Sequence, residues 1–153
     1  MNLKSAHHTG LVVRNLENSI DFYTRILGLK LEIGPSPWAS GLGLDAGLGL
    51  SGAQIRSASI AVGTSTLIEL VEFGHKTPAV TAPKRDSLRT AHICFEVEDA
   101  IATRKELMTK GVRFISEVNE ITAGPQSGWK WVYFLDPDDI TLELIEISKV
   151  NIS

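Results

Sequence analysis

The sequence predicts an α+β fold in which one β-α-β-β-β module occurs twice in tandem. Three observations carry this. A histidine opens an apolar run twice, at His8-Thr-Gly-Leu-Val-Val13 and at His92-Ile-Cys-Phe-Glu-Val97, 84 positions apart. Each run precedes a helical pattern that stops at a glycine, Gly28 and then Gly111, 83 positions apart. Each module then closes on two strand-like segments joined by a turn. The 153 residues suit one domain made of two modules, about 5–74 and 90–149, with a linker at 75–89 that contains Pro78 and Pro83.

The elements follow in order. His8 to Val13 reads as a strand. Asn15 then caps a helix, because its side-chain oxygen can accept from the free amides of the first turn. Leu16, Ile20, Tyr23 and Leu27 fall on one helical face, and Gly28 supplies the left-handed stop. Leu29 to Ile33 resumes a strand, and Gln54 to Val62 and Ser65 to Phe73 form a hairpin around Gly63-Thr64. In the second module His92 to Val97 is a strand and Asp99 is the cap. Ile101, Leu107 and Met108 are expected on one helical face, and Val112 to Glu117 as the next strand. Trp129 to Leu135 and Ile140 to Ile147 flank Asp136-Pro-Asp-Asp139, a turn suited by the fixed φ of Pro137.

Composition narrows the function. With 15 basic and 18 acidic residues the net charge is −3. Nothing basic clusters, so neither nucleic acid nor an anionic membrane is an expected partner. The N-terminus lacks the apolar run of a signal peptide, and the glycine-rich stretch from Leu31 to Ile55 is too interrupted for a membrane helix. The single cysteine, Cys94, forms no intrachain disulfide and suits a reducing, cytoplasmic compartment.

Four residues carry the chemistry. His8 and His92 open the first strand of their modules, while Glu69 and Glu143 lie in the last strand of theirs, each between aliphatic neighbours. A single strand histidine more often serves structure than metal, and a single strand glutamate is usually an edge charge. Their recurrence at equivalent positions changes that balance. Carboxylates among aliphatics are costly unless a cation meets them, and two neutral imidazoles with two carboxylates balance a divalent ion. Such a donor set suits Mn, Fe, Co, Ni or Zn better than Mg or Ca. By strand parity His8 shares a face with Gly10 and Val12, His92 with Cys94, and Glu69 with Leu67 and Val71. His7 has the opposite parity and reads as surface, His75 as solvated linker, and Glu72, Glu96 and Glu146 as exposed or edge charges. The stretch from Gly34 to Gly52 reads as a mobile flap with Trp38 as either a pocket contact or a loop anchor, and Asn119 to Gly128 as its counterpart. The flap's glycine spacing matches a nucleotide loop only weakly, because no helix of the right kind follows its strand.

These segments, together with Ser19-Ile-Asp-Phe-Tyr-Thr-Arg-Ile-Leu-Gly-Leu-Lys-Leu31 and Asp136-Pro-Asp, resemble the vicinal oxygen chelate superfamily over nearly the whole chain. That is the glyoxalase, bleomycin-resistance and extradiol-dioxygenase group. The resemblance implies paired modules forming a cupped mixed sheet around one divalent transition metal, usually in a homodimer. It implies His8, Glu69, His92 and Glu143 as ligands, and Trp131 and Tyr133 as pocket-facing substrate contacts. A bulge at the turn would instead turn Val132 and Phe134 inward. A carboxylate at Glu69 is similar to glyoxalase I and methylmalonyl-CoA epimerase, and unlike dioxygenases and bleomycin-binding members. Val12 stands where bacterial glyoxalase I has a glutathione-holding arginine, and Asp139 replaces a common turn glycine.

What the resemblance implies is a lyase, isomerase or epimerase acting on a small α-hydroxycarbonyl or thioester. The substrate would lose a proton to Glu143, or second to Glu69, and pass through an enediolate. An Fe(II) extradiol-type dioxygenase and a non-catalytic small-molecule-binding protein are the alternatives.

Overall fold

The computed structural model describes residues 3–75 and 84–148. The chain forms two compact units, residues 1–80 and 81–153. The first contains β1 (His8–Val13), α1 (Leu16–Asp21), a π turn (Phe22–Ile26), β2 (Lys30–Ile33), β3 (Ala39–Ser40), α2 (Leu42–Leu48), β4 (Gln54–Val62) and β5 (Thr66–Phe73). The second contains β6 (Ile93–Glu96), α3 (Ala100–Thr109), β7 (Arg113–Phe114), β8 (Asn119–Glu120), β9 (Lys130–Leu135) and β10 (Thr141–Glu146). Each unit is a five-stranded mixed sheet. The strand orders are β1-β5-β4-β2 with β3 on β4, and β6-β10-β9-β7 with β8 on β9. In both, the first and last strands of the module are parallel neighbours.

The repeat is thus realised as two sheets of one topology, as predicted. Both expected caps form. Asn15 Oδ1 accepts from the Asn18 amide and Asp99 Oδ1 from the Ala102 amide, each at 2.8 Å. Gly28 and Gly111 take φ of +75° and +84°, as helix stops require. The linker is described only in part: residues 76–83, with Pro78 and Pro83, lie outside the described residues.

Several local expectations are corrected. The first helix is α-helical only to Asp21. It then widens into a π turn in which the Leu27 amide reaches back to Phe22 O at 3.0 Å. The wider turn buries Phe22 beside Tyr23, a shift that a 3.6-residue period does not anticipate. On α3 Ala100 and Leu107 are buried while Ile101 and Met108 are exposed. Ile101 is one position past the buried stripe, roughly 100° round the helix. β7 is only two residues long. The glycine-rich stretch folds into β3 and α2, and α2 buries none of its residues. It is tied down by Asp45, whose carboxylate accepts from the amides of Gly52 and Ala53 at 2.8 Å each.

The largest correction concerns Glu72 and Glu146, expected as surface charges. Their side chains are only 14% and 18% exposed. Glu72 accepts the Leu16 amide at the start of α1 (2.7 Å), and Glu146 the Ala100 amide at the start of α3 (2.9 Å). Each is also held by the base directly opposite on the neighbouring strand, Arg56 at 2.6 Å and Lys130 at 2.7 Å. Each unit therefore fastens its helix to its last strand by the same part-buried carboxylate. A helix N-terminus favours negative charge, and a buried carboxylate needs such donors.

Glu146 is held below the usual carboxylate range, first by the Lys130 ammonium and then by the Ala100 amide. A depressed acid stabilises the fold above its unfolded pKa and loses that contribution as pH falls through its folded value. Glu146→Gln is therefore expected to cost about 1–2 kcal/mol at pH 7 and progressively less as pH falls below 4, measured by denaturant unfolding. Gly34 takes φ of +96°, and a Cβ there would meet Ser57 O at 2.7 Å and Ala58 Cα at 2.9 Å. Gly34→Ala is expected to destabilise by at least about 1–3 kcal/mol in the same assay, since the colliding atoms are backbone.

Candidate functional site

Strand parity decides which side chains meet. In the first unit Ile68 and Leu70 of β5 are buried with Ala58 and Ile60 of β4. Glu69 between them points to the other, open face, as do Leu67 and Val71. Gly10 on β1 and Ser59 on β4 are its direct cross-strand partners. His8, two residues before Gly10, shares that face. Its Nε2 lies 3.4 Å from Glu69 Oε2. The other ring nitrogen, Nδ1, is 2.9 Å from Nδ1 of His7. His7 thus belongs to the surroundings of the pair, one ring donating to the other. Parity did not reveal this, because His7 precedes β1 and is free of its alternation.

The second unit repeats the arrangement. Leu142 and Leu144 are buried and Glu143 points to the open face. Its cross-strand partners are Cys94 on β6 and Tyr133 on β9. His92 Nε2 lies 2.9 Å from Glu143 Oε2. The Tyr133 ring packs edge-on to His92 and to Trp131, both at 5.2 Å between centroids. Val132 and Phe134 are fully buried on the opposite side of β9, so no bulge turns them toward Glu143.

The two pairs differ in their flanks. Glu69 sits between glycine and serine, Glu143 between cysteine and tyrosine. Their side chains are accordingly 36% and 12% exposed. Burial, and next the Glu143 charge, push the Cys94 thiol up to about 12. The same two causes raise Tyr133 above its ordinary value. Both side chains are therefore protonated at neutral pH, and each can donate a hydrogen bond.

Trp38 does not join the His8–Glu69 pair. Its ring receives the Arg56 guanidinium at 4.9 Å, and Arg56 lies directly opposite Glu72 on the helix-facing side of the sheet. The guanidinium, drawn there by Glu72 and Glu17, carries the indole with it. Asp139 takes φ of +66°, the turn conformation that usually favours glycine, and its carboxylate pairs with Arg113 at 2.6 Å.

The donor chemistry fits a metal ion in halves. Two donors on adjacent positions of one ion, each at about 2.1 Å, lie about 3 Å apart. The His–Glu separations of 3.4 and 2.9 Å match that spacing, and both histidines present Nε2. Among the described residues no group of three or more His, Cys, Asp and Glu is gathered. The four expected ligands are brought together as two pairs, one within each unit.

The sequence profile of the Glyoxalase/Bleomycin resistance protein/Dioxygenase superfamily matches residues 5–144. The chain belongs to this superfamily. Among glyoxalase-superfamily relatives, a 2-epi-5-epi-valiolone epimerase of Actinomyces is 29% identical, over 94% of this chain and 79% of its own length. A lactoylglutathione lyase of Pseudomonas aeruginosa is 27% identical, over 93% and 82%. A glyoxalase family protein of Bacillus cereus superposes with a TM-score of 0.78 at 24% identity, over 96% of each chain, a likeness of fold. No helix among the described residues is long and apolar enough to cross a membrane.

If the pairs hold metal, His8→Ala and His92→Ala should each weaken cobalt(II) binding. The expected loss exceeds the roughly 10- to 100-fold typical of outer-shell changes. Titration of chelator-treated protein, followed by visible absorption, measures this.

Proposed function

We propose that this chain is a divalent-metal-dependent isomerase, epimerase or lyase of a small α-hydroxycarbonyl or thioester substrate. It acts as a homodimer in a reducing, cytoplasmic setting. Duplication of the His–Glu pair carries this reading: the same two residue types stand at the same two places of each unit, at 3.4 and 2.9 Å. Glutamates pointing out of otherwise aliphatic strands beside an imidazole suit a cation better than a purely structural role. The names of the epimerase and lyase relatives support proton-transfer chemistry.

In this proposal His8, Glu69, His92 and Glu143 hold one transition-metal ion. When bound, the ion supplies positive charge that offsets the negative charge developing on the substrate oxygens. Glu143 removes the proton from the carbon next to the carbonyl. Its cross-strand neighbours Cys94 and Tyr133 are protonated at neutral pH and add no competing negative charge. Glu69, flanked only by Gly10 and Ser59, has room to hold a proton on its own side of the substrate. Return of the proton to the same carbon from the opposite face epimerises it, and return to the adjacent carbon isomerises it. Trp131 and Tyr133 form the aromatic wall along which the substrate lies. Val12, exposed on the open face beside Val71, gives no counter-charge to a glutathione carboxylate.

Glu143→Gln is expected to lower turnover by about 10²–10⁴-fold at unchanged metal content. The measurement is incorporation of deuterium from D2O into a panel of α-hydroxyketones and thioesters, with elemental analysis of each protein. Full turnover in that variant would remove the assigned base. Oxygen uptake on catechols that strictly requires Fe(II) would favour ring cleavage instead. Ligand binding indifferent to chelator, with no turnover, would favour a binding protein.

A further inference from the structure

A cavity of about 270 Å3 opens on the second unit beside His92, lined by Arg85, Thr90, Ala91, His92, Tyr133 and Thr141. Its size limits the occupant. Drug-sized ligands occupy about 300–1,000 Å3, so this space takes a small molecule or one arm of a larger one. It adjoins the candidate site, because His92 is half of the His–Glu pair and Tyr133 packs edge-on to it.

Among the described residues the lining brings hydrogen-bonding side chains of Arg85, Thr90, His92, Tyr133 and Thr141 and no carboxylate. Arg104 and Arg113 of this unit are held by Glu117 and Asp139, both at 2.6 Å. Arg85 forms no ion pair among the described residues, and its positive charge is permanent. Thr141 and Tyr133 add hydroxyl groups on the same open face as Glu143. The carboxylate of Glu143 is turned to His92 and does not line the cavity. Thr90 has a different part. Its hydroxyl bonds the carbonyls of Arg85 and Ser87, at 3.0 and 2.6 Å, and so fixes the turn that presents Arg85. A guanidinium and two hydroxyls around one small space form a site for an oxyanion, since such charge-assisted bonds are among the strongest polar contacts.

We propose that this cavity binds the anionic arm of the substrate, a carboxylate or a phosphate, and that Arg85 is the residue that selects for it. The substrate class is then a small anionic α-hydroxycarbonyl. That the anion is a substrate arm rests on the function proposed above; that the cavity binds an anion does not.

The test separates the two. Chelator-treated protein is titrated calorimetrically with inorganic phosphate and, separately, with propionate, which distinguishes the two oxyanions. At least one binds saturably, and Arg85→Leu weakens it by about 10- to 100-fold. Arg85→Lys retains part of the affinity. Lys105→Leu, which removes an equal charge from the exposed side of α3, leaves it unchanged. In metal-loaded protein Arg85→Leu raises KM for an anionic hydroxycarbonyl by the same factor, with kcat retained and KM for a neutral analogue unmoved. The proposal is overturned if neither anion binds, if Arg85→Leu binds as tightly as the parent, or if Lys105→Leu loses as much. Absence of turnover on every substrate would sink the proposed function alone, because the anion titration still decides the cavity.

Discussion

In each unit a glutamate of the last strand lies under the helix, bonded to the amide that starts the helix and to a base on the neighbouring strand. These are Glu72 and Glu146, and the orientation of the site depends on them. Burying a carboxylate is tolerable only with this full set of partners, so the parity of β5 and β10 is locked wherever the bonds form. Glu69 and Glu143 stand three residues earlier and therefore point the opposite way. A slip of one residue would expose Ile68 and Leu70 and bury the proposed ligands instead. The structural carboxylates thus hold the proposed ligands in register.

The duplicated geometry carries unequal surroundings. Around Glu69 the cross-strand positions are Gly10 and Ser59, and around Glu143 they are Cys94 and Tyr133. The first pair leaves the Glu69 side chain 36% exposed, while beside Tyr133 the Glu143 side chain is 12% exposed. Two copies of one carboxylate can then take different parts in a proton transfer, one firmly held and one with room to move. The second unit also carries the aromatic row of Trp131 and Tyr133 and the cavity at Arg85. In the proposed function, recognition of the substrate falls mainly to that unit.

Much was legible from the residues. The 84-position echo of His8 in His92, the caps at Asn15 and Asp99 and the stops at Gly28 and Gly111 are local signals, and local signals survive folding. Parity set the faces of His8 and Glu69 because it depends only on strand alternation. The reading of Glu72 and Glu146 as exposed charges failed, because a charged residue in a strand declares its partners only once the facing helix end is known. Trp38 was read from its loop and not from parity; it lines a pocket with Val13, Glu72 and His75, on the side of Arg56. The π turn at Phe22–Ile26 and the exposed Ile101 were missed for a related reason: a hydrophobic period reports the mean twist of a helix, not the demand of the sheet beneath it.

The sequence by itself determined the doubled β-α-β-β-β order, the chemical types of the four proposed ligands and the alternation that sets their faces. These follow from steric and hydrogen-bonding rules acting within a few residues. Only the tertiary structure decided that Glu72 and Glu146 are part-buried caps, that His7 touches His8, that Trp38 goes to Arg56, and that Arg85 meets Thr141 and Tyr133 around one cavity. Each of those pairings joins groups whose approach is governed by the packing of helix, loop and sheet, and adjacency along the chain carries no record of it.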